Sequence, residues 1–163
     1  MVGDVLNSGA PSDFFDLVIL TEVLEHVPEP LRAVGELARV AKPGGLIAVT
    51  APFIAGSHQQ PYHFGSGYPL EFYQECAKRF NLDIIDKKSQ GDYWKLLTYE
   101  MNRAIGGHCG AVSGANPADY ETLRQIVGDY LLKMSAEHGD GGPSQNHCTT
   151  MLAIGFMVEF RKK

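Results

Sequence analysis

The chain of 163 residues is about one domain long, and at 44% hydrophobic and 20% charged it can bury one ordinary core, which excludes a large multidomain enzyme and a disordered tail. Fourteen Lys and Arg against nineteen Asp and Glu leave a net charge of −5, the wrong sign for a nucleic-acid partner. No apolar run approaches the roughly eighteen residues of a spanning helix, and the N-terminal stretch lacks the basic start and apolar centre of a signal peptide, so a soluble, cytoplasmic protein with no membrane partner is expected.

Phe15 to Leu20, within FFDLVIL, is an apolar run without alternation, broken only by Asp16. That pattern predicts a strand covered on both faces near the centre of a parallel sheet. VPEPLRAVGELARVAKPGG predicts a helix with Pro30 in its first turn, Leu31, Val34, Ala38 and Ala41 along one face, and Lys42 to Gly45 as its end. Leu46 to Ala51 is again a short apolar strand, so strand, helix and strand make one crossover unit. Pro52 to Gly67, mixed from Gly, Pro, Ser and His, is a long loop beyond the carboxyl end of that strand, where open α/β sheets bind ligands.

YPLEFYQECAKRF predicts a second helix with Leu70, Tyr73, Ala77 and Phe80 on one stripe, and NLDIIDKKS a strand that tolerates one wet face. Asp92 to Ile105 is expected to be helical, with Tyr93, Trp94, Tyr99 and Met101 in ordinary core packing, the alternative being a lid over an apolar acceptor or a dimer surface. A glycine-rich break follows, then an Asn116 cap and Pro117 open a helix with Tyr120, Leu123, Val127, Tyr130 and Met134 on its apolar side. CTTMLAIGFMVEFRKK reads as a closing strand ending in solvated basic residues. Three scattered cysteines, Cys76, Cys109 and Cys148, form no disulfide framework and fit a reducing compartment. The whole is an α/β protein with one domain over 1–163 and a helical insertion or lid over 89–147.

The stretch FDLVILTEVLEHVPEPLRAVGELARVAKPGGLIAVTAPF resembles the central portion of class I S-adenosylmethionine-dependent methyltransferases, especially the type 11 group. An Asp-initiated strand, a Leu-Glu-His step, a helix and a Lys-Pro-Gly-Gly lead into the next strand occur in the family's order. The resemblance implies a Rossmann-like sheet, S-adenosylmethionine as cofactor, and methyl transfer to an oxygen, nitrogen or carbon of a small-molecule acceptor. By motif, Thr21, Glu22 and Val23 line the cofactor cleft, and Glu25 and His26 open it. GDVL looks like the segment after the family's third strand, where the resemblance implies that the Asp4 side chain faces the adenine amino group and the Val5 backbone amide caps the ring. QPYHFGSGYPLEFYQE is similar to the segment bordering the acceptor pocket, which makes His63 the candidate base, His26 a second catalytic candidate, and Phe53, His58 and Tyr68 acceptor contacts.

The residues themselves point the same way. Glu22, Glu25 and His26 stand where a strand passes into a helix, where polar groups face the crevice. An imidazole with an ordinary pKa near 6.5, such as His63, accepts a proton at neutral pH. His108 with Cys109 and His147 with Cys148 lack the separations of a recognised zinc site, so no metal is expected. The glycine-rich turn that class I enzymes place after their first strand is missing, since neither GGHCG nor HGDGG follows an apolar strand. The resemblance therefore covers the carboxyl part of the fold, incomplete on its N-terminal side, with an apolar strand edge left open. A piece of a longer protein is the first expectation. The rival is a non-catalytic subunit whose open edge takes a second copy or a partner chain.

Overall fold

The computed structural model describes residues 3–56, 58–92, 94–98, 100, 117–138 and 155–163. They form two compact units, Met1–Lys88 with Gly155–Lys163, and Ser89–Ile154. The first unit holds β1 (Phe15–Thr21), a 3-10 turn (Leu24–His26), α1 (Pro30–Val40), β2 (Ala41–Pro52) and α2 (Leu70–Arg79), then β3 (Leu82–Gln90) and, at the carboxyl end, β4 (Gly155–Lys162). The sheet order is β1-β2-β4-β3, with β1 parallel and β4 antiparallel to β2. This is the α/β, Rossmann-like arrangement expected. Among the described residues no helix is long and apolar enough to cross a membrane.

The core is one cluster in which Val34, Leu37 and Ala38 of α1 and Tyr73 and Cys76 of α2 meet Ile47, Val49 and Ala51 of β2 and Val158 and Phe160 of β4. Pro30 opens α1, where its missing amide costs nothing, and Asn81 follows α2 with a φ of 55°, a left-handed helix stop that asparagine tolerates. Burial pushes the Cys76 thiol up to about 12, so it is a small core hydrophobe.

Three expectations are corrected in this unit. β1 is the edge strand of this sheet, not a central one: Leu20 is buried, while Leu17 and Ile19 are 53% and 61% exposed. The register sets Leu17 beside Leu46 and Ile19 beside Ala48, so the open face carries an apolar patch. Lys42 to Gly45 do not end the helix; α1 already stops at Val40, and these residues bulge out of β2. Phe15 faces Ala41 but Leu17 faces Leu46, and Gly44, with φ of 77°, makes the reversal that a side chain would resist. Of the final basic residues Lys162 is anchored, its ammonium 2.6 Å from Asp13 and donating to the Ala41 carbonyl, while Arg161 and Lys163 are exposed as expected, Lys163 pairing with Asp83 at 2.9 Å.

In the second unit residues 94–98 and 100 are helical and α3 spans Pro117–His138. Asp92 is fully buried and joins them: its carboxylate accepts the amides of Trp94 and Lys95 at 2.9 and 3.0 Å and the Ser135 hydroxyl at 2.6 Å. On α3 Leu131 is buried, while Tyr130, expected on the apolar side, is 58% exposed; the side chains of Tyr120 and Leu123 lie outside the described residues. Val127 and Met134 are half-buried. The expectations for Tyr93, Tyr99 and Met101, the two glycine-rich breaks, His108, Cys109, His147 and Cys148 lie outside the described residues.

Candidate functional site

At the carboxyl end of β1 the exposed Thr21 and Glu22 leave the sheet. Glu22 turns left-handed, with a φ of 52°, an uncommon and strained conformation for a residue with a side chain. Its amide donates to the Thr50 carbonyl at 3.0 Å, and its carboxylate accepts the Thr50 hydroxyl at 2.8 Å. The turn is therefore held from β2, and Thr50 is a site residue that the sequence did not single out. Val23 packs against the core behind it.

The following 3-10 turn buries Leu24 and Glu25. Glu25 is 1% exposed, and its Oε2 has no hydrogen-bond partner among the described residues. Burial, the largest effect, pushes its carboxyl above the ordinary value; a hydrogen bond from its own backbone pulls the other way, Glu22 adds to the rise, and His26 and His58 oppose it. The long loop after β2 is stapled onto this turn. The amides of Phe64 and Gly65 donate to the Glu25 carbonyl at 2.8 and 3.2 Å, and the Tyr68 hydroxyl donates to the Leu24 carbonyl at 2.8 Å. Burial and the Glu25 charge push the Tyr68 phenol up to about 12, so it remains a neutral donor.

The staple brings three histidines together. Ring centroids of His26, His58 and His63 lie 5.0, 6.0 and 4.6 Å apart for the pairs 26–58, 26–63 and 58–63. His26 Nδ1 is 2.6 Å from the Tyr62 carbonyl and His58 Nδ1 is 2.9 Å from the Gly56 carbonyl. A carbonyl only accepts, so both Nδ1 atoms carry a proton, and in the neutral ring Nε2 presents the lone pair. His26 Nε2 lies 3.7 Å from Glu25 Oε1. Both ring nitrogens of His63 are buried.

Of the residues singled out in the sequence, Glu22, Glu25, His26, His58 and His63 thus share one neighbourhood at the carboxyl ends of β1 and β2. Phe53 stacks edge-on against Phe156 at 5.6 Å, and Tyr68 is buried against Phe72 at 4.7 Å, where its hydroxyl is a strut for the turn. Asp4 is not drawn into the histidine group. Its carboxylate accepts the Leu6 amide at 2.9 Å within its own turn, and Val5 packs on the core. The chain beyond them is tied to α1 by Ser8 on Glu36 and by Arg39 on the Ala10 carbonyl.

Comparison with protein families matches residues 1–49 to a methyltransferase domain. No curated protein matches. Among solved structures, the chain is similar to a candidate sarcosine dimethylglycine methyltransferase of Galdieria sulphuraria, at 19% identity and a TM-score of 0.54, covering 99% of this chain and 58% of that one. A SAM-dependent methyltransferase of Archaeoglobus fulgidus gives 10% identity and a TM-score of 0.55, over 99% of this chain and 66% of that one. Phosphoethanolamine N-methyltransferase 2 of Haemonchus contortus, in complex with S-adenosyl-L-methionine, gives 14% and 0.53, over 98% and 36%. The chain therefore spans between about a third and two thirds of the length of these relatives. By sequence over residues 1–49 and by fold in its sheet, the chain resembles the class I S-adenosylmethionine-dependent methyltransferases.

Proposed function

We propose that the chain carries the carboxyl part of a cytoplasmic class I methyltransferase that moves a methyl group from S-adenosylmethionine to an oxygen, nitrogen or carbon of a small molecule by in-line displacement. The observation that supports this best is the polar rim at the end of β1: exposed Thr21, a Glu22 carboxylate oriented by Thr50, and the buried Glu25 carboxylate behind them. A cationic ligand suits this rim, because it offers counter-charge to Glu22 and to the Glu25 carboxylate, whose Oε2 has no hydrogen-bond partner among the described residues. S-adenosylmethionine, when bound, supplies an electrophilic methyl on its sulfonium. Thr21, Glu22 and Val23 border its methionine side, and Asp4 and Val5 take the adenine end by family motif. Phe53, His58 and Tyr68 wall the acceptor side, where the strut from Tyr68 keeps the loop closed on the turn. His26 accepts the acceptor's proton at Nε2, the atom its bond to the Tyr62 carbonyl leaves free of hydrogen, and His63 is the alternative base.

Calorimetric titration of the folded chain with S-adenosylhomocysteine tests the reading without knowledge of the acceptor. Binding at about micromolar Kd, with a raised Tm, supports it. A folded chain that binds nothing at millimolar ligand overturns it for this chain. The exposed Leu17, Ile19 and Leu46 favour a second reading, in which β1 pairs with a second copy or a partner chain and the assembly is non-catalytic. A stable assembly in light scattering, with no cofactor binding, would select it.

A further inference from the structure

We propose that His26, His58 and His63 form a binding site for a divalent transition cation of the zinc class, with three imidazole ligands and one open position. Among the described residues these three offer one ring nitrogen each within 4.8 Å of one another. Three imidazoles holding a zinc ion tetrahedrally at about 2.0–2.1 Å place their nitrogens about 3.3 Å apart and their ring centroids about 5.2 Å apart. The observed centroid separations of 4.6, 5.0 and 6.0 Å bracket that value, so side-chain adjustments of about 1 Å complete the set without moving the backbone.

Four further features favour a metal over simple ring stacking. His58 and His63 are separated by four residues, within the spacing of three to five common between paired zinc-binding histidines. The Nδ1 atoms of His26 and His58 donate to backbone carbonyls, the outer bonds that orient a metal-binding imidazole and direct its Nε2 inward. The loop bearing His58 and His63 is tied to the turn bearing His26 through the Phe64, Gly65 and Tyr62 backbone, so most of the ordering cost is met before the ion arrives. Finally, the buried Glu25 carboxylate lies 3.7 Å from His26 Nε2 and supplies negative charge beside a dication held by neutral ligands. The inference extends the site beyond methyl transfer and stands whether or not the cofactor binds; a bound ion takes the ring-nitrogen lone pairs of His26 and His63, so metal binding and their use as a base exclude each other. An ion with an open position takes water or an oxygen or nitrogen donor from a small molecule.

The test uses the untagged, chelator-treated full chain titrated with Zn²⁺ by calorimetry and with Co²⁺ by visible spectroscopy. The expected result is one equivalent bound at about micromolar Kd or tighter, with the intense d–d bands of low-coordinate cobalt. His58→Gln and His63→Gln each weaken binding by about 100-fold or more, at least as much as losing an outer-shell partner. A variant with His108, Cys109, His147 and Cys148 all replaced by Ala keeps it. On the unaltered chain, Zn²⁺ protects His26, His58 and His63 from diethylpyrocarbonate, which serves as the readout if a variant does not fold. A folded chain with no cobalt spectrum and no such protection, or binding that survives loss of both His58 and His63, overturns the site.

Discussion

The Thr50 hydroxyl donates to the Glu22 carboxylate across 2.8 Å at the point where the Glu22 backbone is left-handed. The two facts pull stability in opposite directions. The hydrogen bond to a charged acceptor contributes about 1–3 kcal/mol, and the left-handed backbone costs about 1–2 kcal/mol. Thr50→Val and Glu22→Gly delete the same bond, but only the second relieves the backbone. Glu22→Gly is therefore expected to destabilise the chain by about 1 kcal/mol less than Thr50→Val in urea unfolding, while both weaken S-adenosylhomocysteine binding. Equal losses of stability would show that the backbone of Glu22 stores no strain.

Elements with local signals were legible in the sequence. The apolar runs of β1 and β2, the Pro30 start of α1 and the stripe of α2 emerge close to where periodicity puts them. The open edge of β1 was expected, but its exposed second face was not legible, because FDLVIL reads the same whether that face is covered or open. Nor was the bulge, since Lys-Pro-Gly-Gly breaks a helix and kinks a strand by the same glycine freedom. The catalytic candidates were legible one at a time. Their convergence was not, because it is made by the Glu25 carbonyl receiving two amides from a loop far along the chain, a contact with no sequence period.

Gly67 fixes that loop. Its φ is 151°, and a Cβ there would collide with the Phe53 carbonyl, which a side chain cannot push aside without moving the loop's entry from β2. Gly67→Ala should cost about 2 kcal/mol or more in urea unfolding. It should also loosen the histidine group, seen as faster diethylpyrocarbonate modification of His58 and His63. Unchanged modification rates would place the loop's order elsewhere.

The Tyr68 strut is separable from its ring. Tyr68→Phe keeps the stack on Phe72 and leaves the Leu24 carbonyl without its donor, at an expected cost of about 1–2 kcal/mol. If Tyr68 acts on the acceptor instead, the substitution lowers turnover with little change in the urea midpoint. Measuring both decides between strut and contact.

Acid stability depends on Glu36, whose carboxyl is pulled down to about 2, first by the hydrogen bonds from Arg39, against the next largest effect, burial, which raises it, and then by the bonds from the Ser8 hydroxyl and amide. A carboxyl lowered in the folded chain contributes stability that is complete above its ordinary value near 4.5 and is lost as pH falls from there toward about 2. The urea midpoint of the native chain should therefore fall across that window, while Glu36→Gln, already lower at neutral pH, falls less steeply. Parallel curves for the two chains would remove Glu36 from the account.

The exposed apolar pair on β1 distinguishes self-association from a harmless surface. Leu17 and Ile19 bury little here, so Leu17→Lys with Ile19→Lys should change stability by no more than about 0.5 kcal/mol per site. Charges on an edge strand prevent edge-to-edge pairing. If β1 pairs with another copy, the native chain scatters light as a dimer or larger and the double variant as a monomer, at equal protein concentration and with the same urea midpoint. An assembly that persists in the double variant is held by another surface, and a native chain that is already monomeric leaves β1 without a partner of its own kind.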